Sequence, residues 1–270
     1  MVKEEEKLTA EEAAKEMEKI VEEKEEKAHE KEIKEKEKAA EKIEKVEKTR
    51  EQVDAEARLA VWVPRTQLGK EVNTGKVKSI EEIFKSGRKI LEPEIVDKLL
   101  KVRVELLQVG QAKGKFGGGK RRAWRQTQKK TKEGNVLTFS VMAVVGDENG
   151  NVGLGFGRAS ETLPAKNKAI RKAKLNIAPI KRGCSSYDCS CEELHSIPLE
   201  TKGKCSSVEI RLMPAPQGTG LVVGDEVKKI LNLAGIKDVY GKTFGKTKTT
   251  INVAKATIKA LEKLGEAKYK

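Results

Sequence analysis

An α+β fold, with two compact units behind a long charged helix, is the class this sequence predicts. Three features carry that expectation. Residues 9–58 are almost all Glu, Lys and Ala without Gly or Pro, a composition that favours helix but offers no core. Beyond Val61, short blocks of strand-like alternation and of helical periodicity follow one another, and helices grouped around short strands make an α+β unit. A cationic, glycine-rich stretch at 111–135 separates two strand-like runs, 102–109 and 136–145, and so predicts a hairpin with a long irregular tip. The boundaries expected are 1–60 for the charged extension, 61–177 for the first unit and 178–270 for the second.

The charge is unevenly spread. The 270 residues carry a net +14, yet residues 1–60 hold 15 Lys/Arg against 21 Asp/Glu. The excess of cations therefore belongs to the two units, which implies a polyanionic partner, nucleic acid before membrane. No apolar run approaches the ~18 residues of a spanning helix. The first residues, Met1–Glu6, lack the apolar centre of a signal peptide, so a cytoplasmic location is expected.

In the extension, Thr9 and Glu12 fit a capping box, and Glu11–Lys15 and Glu23–Lys27 are i,i+4 pairs that favour helix. Its sparse apolar positions keep no continuous heptad, so it reads as a solvated extension or as a helix awaiting a coiled-coil partner. Ser79 and Glu82 form a second capping box before a short helix ended by Gly87, and Pro93 opens another through Leu100. Asp147–Asn151 has turn composition, and Val152–Arg158 is a third strand carrying three glycines. A helix is expected from Pro164 to about Ile177, with Ala165, Ala169, Ile170, Ala173 and Ile177 inward and Lys166, Lys168, Arg171, Lys172 and Lys174 outward. In the second unit, 195–201 and 206–213 read as paired strands turning around Lys202–Lys204. Asp225 begins a helix to Ala234, 236–240 is a strand, Lys242–Lys246 a turn, and Thr250–Leu264 a final helix.

The 111–135 stretch holds nine Lys/Arg against one acid, with Phe116 and Trp124 interleaved. Solvation alone would explain scattered lysines. Cations mixed with aromatics and flexible glycines suit phosphate neutralisation together with base stacking. The candidate RNA-binding residues are Lys113, Lys115, Lys120, Arg121, Arg122, Trp124, Arg125, Lys129 and Lys130. A second rank comprises Lys168, Arg171 and Lys172 with Lys242 and Lys246. Gly114–Lys120 matches a phosphate-binding loop up to its last place, where Arg121 stands instead of the hydroxyl that would hold Mg²⁺. Gly153, Gly155 and Gly157 miss dinucleotide spacing and read as a close backbone approach.

Cys184, Cys189, Cys191 and Cys205 fall in one segment. Four thiols in a reducing compartment suit a structural zinc, with His195 able to replace one of them; ordinary buried cysteines are the other reading. No Ser/His/Asp set or other catalytic constellation is evident, His29 lies in the charged extension, and neither an enzyme nor a small-molecule substrate is expected.

Several motifs resemble the small-subunit ribosomal protein S5 family. They are Val144-Val-Gly-Asp-x-Asn-Gly-x-Val-Gly-x-Gly-x-Gly157, Lys168-Ala-Ile-x-Lys-Ala-Lys-x-Asn176, Met213-Pro-Ala-Pro-x-Gly-Thr-Gly220, Leu233-Ala-Gly-Ile-Lys-Asp-Val239 and Asn252-Val-Ala-Lys-Ala-Thr257. Arg182-Gly-Cys184, His195-Ser-Ile-Pro198, Thr201-x-Gly-Lys-Cys205 and Val63-Pro-Arg-Thr66 resemble its archaeal and eukaryotic branch. The likeness runs over about 60–265. It implies a double-stranded-RNA-binding-like first domain and a second α/β domain of the S5 type. It also implies binding to small-subunit rRNA, contact with ribosomal proteins S4 and S8, and a part in decoding accuracy, with 111–135 as the rRNA-reaching loop. This basic finger, 111–135, is longer than the family's loop, and the charged extension stands outside the pattern. A free RNA chaperone or double-stranded-RNA binder acting off the ribosome is the competing reading.

Overall fold

The computed structural model describes Leu59, residues 61–111, 121–184, Cys189 and 193–266. The charged helix expected over 9–58, the glycine-rich tip at 112–120 and Cys191 lie outside the described residues. Trp62–Lys270 forms one compact unit.

Three short helices come first: α1 (Gln67–Asn73), α2 (Ile80–Lys85) and α3 (Pro93–Leu99). They share a small core that includes Leu68, Val72, Ile83, Ile95 and Val96. The sequence reading omitted α1, whose start is set by Thr66: its Oγ1 accepts from the Gly69 amide at 3.0 Å, a side-chain N-cap. The capping box expected at Ser79 is not closed, because Ser79 precedes α2 without a side-chain cap bond. The entry segment is held instead by Glu92. Its carboxylate accepts from Trp62 Nε1 at 3.0 Å and from the Arg65 and Thr66 amides at 2.9 and 2.7 Å.

The first sheet contains β1 (Arg103–Leu106), β2 (Trp124–Thr131), β3 (Gly134–Gly146), β4 (Asn151–Ala159) and β5 (Ile177–Pro179), all antiparallel neighbours. The 13-residue β3 is its spine. One edge of β3 pairs with β1 near Gly146 and with β2 from Val141 to Gly134; the other edge pairs with β4. The last β3–β4 pair is Phe139 with Ala159. Beyond it, Thr127–Thr131 and Gly134–Thr138 continue as a two-stranded ribbon. This corrects the expectation that 111–135 is irregular throughout: 124–131 is strand. The stretch is polar and has few β-branched residues, so the strand signal is weak in the sequence. Pairing to β3 supplies what intrinsic propensity does not, and the Thr127 and Thr138 hydroxyls meet across the strands at 2.8 Å.

Helix α4 (Thr162–Leu175) packs on this sheet through Ala165, Ala169 and Ala173. The β4 glycines make room: a Cβ on Gly153, Gly155 or Gly157 would lie 2.2, 2.0 or 2.2 Å from a carbonyl oxygen of α4. That is the close approach the sequence suggested. Two details differ. The helix ends at Leu175, so Ile177 is a strand residue of β5, and the first sheet runs past the expected 177/178 boundary. Lys174 is not outward but half-buried, 2.6 Å from Asp97.

The second sheet has the order β6-β7-β9-β8, from β6 (Thr201–Cys205), β7 (Val208–Pro214), β8 (Leu221–Val222) and β9 (Val239–Gly245). Only β8 and β9 are parallel. The hairpin turns at Ser206–Ser207, and Lys202–Lys204 is strand rather than turn. Gly203 is there for packing: its Cβ would fall 2.0 Å from the Ala256 carbonyl of α6 (Thr250–Glu266). The turn expected at Lys242–Lys246 is likewise largely strand, since β9 pairs with β7 through Gly245. Helix α5 (Asp225–Leu233) ends at Gly235, whose φ of 76° suits the left-handed turn.

A single buried cluster joins the sheets, with Met142, Val144 and Val152 of the first, and Leu107 just after β1, meeting Val208 and Ile210 of the second, Leu231 of α5 and Leu261 of α6. Where β3 ends, the Glu148 amide donates to the Leu233 carbonyl at 3.0 Å. A projecting ribbon is thereby mounted on a firm two-sheet base.

Candidate nucleic-acid interface

The two ends of the 112–120 tip emerge together, because the Gly110 amide donates to the Arg122 carbonyl at 2.8 Å. From that base, strand alternation sorts the β2 side chains. Trp124, Gln126, Gln128 and Lys130 lie on the side of Val141, which packs beneath α4 with Ala165 and Ala169. Arg125, Thr127 and Lys129 lie on the other side of the ribbon.

On that second side the chain forms an open cleft of about 660 Å³. Arg121 and Arg125 come to it from the finger, and Lys246, Lys248, Thr249 and Thr250 from the loop that enters α6. None of the described residues lining it is acidic. The amino end of the 17-residue α6 opens here, adding the positive end of its dipole. All four cationic side chains are exposed. A bare group of like charges is destabilising in isolation, so its natural complement is a chain of phosphates.

Beside the cleft the Arg122 guanidinium lies 5.9 Å from the centroid of the Trp124 ring, which is 36% exposed. A cation set beside an indole gives a partly wet stacking face next to a phosphate-binding group. A second such face lies on β9: Phe244, 37% exposed, has Arg211 at 5.0 Å and Lys242 at 5.6 Å from its centroid. Arg211 and Lys242 are directly opposite across β7 and β9.

The predicted residues therefore separate into groups. Arg121, Arg125 and Lys246 come together in the cleft, Arg122 and Trp124 flank it, and Lys129 and Lys130 lie exposed along the ribbon. Lys242 belongs to the β9 face. Lys168, Arg171 and Lys172 are exposed on the α4 face turned away from the sheet, so they form a different surface from the cleft. Lys113, Lys115 and Lys120 lie outside the described residues. Sequence reasoning missed Lys248, Arg211 and Phe244. The alternation Lys246-Thr-Lys248 before a helix start was available as a signal for the first; the register of β7 on β9 was not available for the other two.

The cysteines are placed differently from the expected four-thiol set. Cys184, Cys189 and His195 lie together. Cys205 pairs with Val208 at the end of β6 and packs against the main core, because the β6–β7 hairpin holds it there.

Fold and surface together define the class, a two-sheet α+β protein with a projecting basic ribbon and a cation-lined cleft. The family profile described as ribosomal protein S5, N-terminal domain, matches residues 123–181, and that described as ribosomal protein S5, C-terminal domain, matches 203–269. The chain is 49% identical over 208 residues to the small ribosomal subunit protein uS5 of Nanoarchaeum equitans, covering 77% of this chain and 89% of that one. It is 50% identical over 210 residues to uS5 of Staphylothermus marinus, covering 77% and 91%. The chain belongs to the ribosomal protein S5 family, in its archaeal and eukaryotic type. No helix among the described residues is long and apolar enough to cross a membrane.

Proposed function

We propose that this chain is a structural, non-enzymatic component of the small ribosomal subunit in the cytoplasm, and that it grips rRNA with the cleft and ribbon. The observation that carries this reading is the convergence of Arg121, Arg125, Lys246 and Lys248 on a cleft with no acid among its described lining residues. Folded RNA offers a dense phosphate surface, and four exposed cations beside a helix amino end complement it whatever the base sequence. Trp124 supplies a stacking contact, and Lys129 and Lys130 extend the grip along the ribbon. Lys113, Lys115 and Lys120 continue the same cationic stretch, while Lys168, Arg171 and Lys172 serve a separate RNA segment against α4.

The first sheet with α4 acts as the double-stranded-RNA-binding-like domain, 61–177 in outline, and 178–270 as the S5-type second domain. Family membership extends the proposal to contacts with ribosomal proteins S4 and S8 and to support of decoding accuracy. The test is sedimentation of native extract. The protein should travel with the small subunit and leave it at high salt; a pool sedimenting only as free protein would favour a chaperone acting off the ribosome.

A further inference from the structure

Gly183 and Ser196 exchange backbone hydrogen bonds, each 2.9 Å, in an isolated antiparallel bridge. The bridge sets Cys184 and His195, the next residues along, opposite one another, where side chains on neighbouring strands come closest. Cys189 completes a group in which the two sulfurs and an imidazole nitrogen all lie within 4.8 Å of one another. The histidine is the fixed member. It is 1% exposed, and its Nδ1 is 2.8 Å from Oδ2 of Asp238, itself 4% exposed. The other carboxylate oxygen accepts from the Gly220 amide at 2.7 Å. With Nδ1–H donated to Asp238, the lone pair of Nε2 points into the group, 3.5 Å from the Cys189 sulfur.

We propose that Cys184, Cys189 and His195 supply three of the four ligands of a structural Zn²⁺, with Asp238 as the positioning residue for the imidazole. Zinc at ~2.3 Å from sulfur and ~2.0 Å from nitrogen, with a tetrahedral angle between them, separates the two donors by about 3.5 Å. The Cys189–His195 distance agrees. A carboxylate on the far nitrogen is the partner that orients zinc-bound histidines and raises their basicity. A thiol hydrogen bond from Cys189 to the imidazole is the competing arrangement at this distance, and metal analysis separates the two. Such a zinc would close the β5–β6 connection on itself, while the His195–Asp238 bond ties that connection to the segment entering β9. The role is structural, and the proposal stands apart from the RNA reading.

The test is metal analysis of the full-length chain, purified with trace zinc and passed over a chelating resin. Close to one zinc per chain is expected, falling more than tenfold in Cys184→Ser and Cys189→Ser and unchanged in Cys205→Ser. Because either serine variant could fail to fold, the wild-type chain is also loaded with Co²⁺. The expected spectrum has a thiolate charge-transfer band and the intense visible bands of a tetrahedral site. Wild-type chain free of zinc, equal loss in Cys205→Ser, or a cobalt spectrum without thiolate charge transfer would each overturn the assignment.

Discussion

Gly155 on β4 lies so close to Ala169 on α4 that a Cβ there would sit 2.0 Å from the Ala169 carbonyl oxygen. The same methyl would be 2.3 Å from the Ala173 amide nitrogen. Both obstacles are backbone within a helix, so no side-chain rotation relieves them. Gly155→Ala should therefore force α4 away from the sheet and cost about 3 kcal/mol or more. For a unit of this size that lowers Tm by roughly 6–12 °C. Thermal unfolding checks it; an unchanged Tm would mean that the helix is not seated as described.

Glu92 gives a prediction in pH. Burial acts to raise its pKa, but hydrogen bonds from the Thr66 and Arg65 amides, the Thr66 side chain and Trp62 together outweigh it and hold the carboxyl below its ordinary value. A group whose folded pKa is depressed stabilises the fold above its unfolded pKa, and that contribution is lost as pH falls through the folded pKa. Glu92→Gln should then be less stable than wild type by about 1–2 kcal/mol at neutral pH. The difference should shrink below about pH 4.5 as the wild-type carboxylate is protonated. Denaturant midpoints measured across that range decide it, and a constant difference would contradict the account.

Trp124 is expected to matter for binding and not for folding. The residue is 36% exposed and its ring lies beside Arg122 rather than in a core. Trp124→Ala should weaken binding to small-subunit rRNA by about 1–3 kcal/mol, the usual worth of one stacked base. Its thermal midpoint should stay within about 2 °C of wild type, since surface substitutions seldom change stability much. A loss of affinity matched by an equal loss of stability would show that the indole is structural.

Much of the fold was legible because the main elements have strong local signals. The alanine stripe at 165, 169 and 173, Gly235 after α5 and the Asp147–Asn151 turn all behaved as their chemistry suggests. The failures share a cause in tertiary pairing. Lys202–Lys204 and Lys242–Gly245 have the composition of turns, yet neighbouring strands and α6 draw them into β6 and β9. Gly203 signalled a bend in sequence and is instead the place where a helix touches a strand. The finger was read correctly as cationic and wrongly as irregular between 124 and 131, because β3 supplies the order that β2 lacks on its own. The cleft could not be foreseen as one site. Arg121 and Arg125 are more than a hundred residues from Lys246 and Lys248, and only the packing of the two sheets against one core brings them together.

The most direct measurement is the salt dependence of binding to transcribed small-subunit rRNA, for wild type and for the combined alanine substitution of Arg121, Arg125, Lys246 and Lys248. Each phosphate contact contributes about 0.7–0.9 to the slope of log K against log salt. The account predicts a slope shallower by roughly 3 in the variant, with an unchanged melting temperature. Equal slopes for the two proteins would show that the cleft does not hold phosphate.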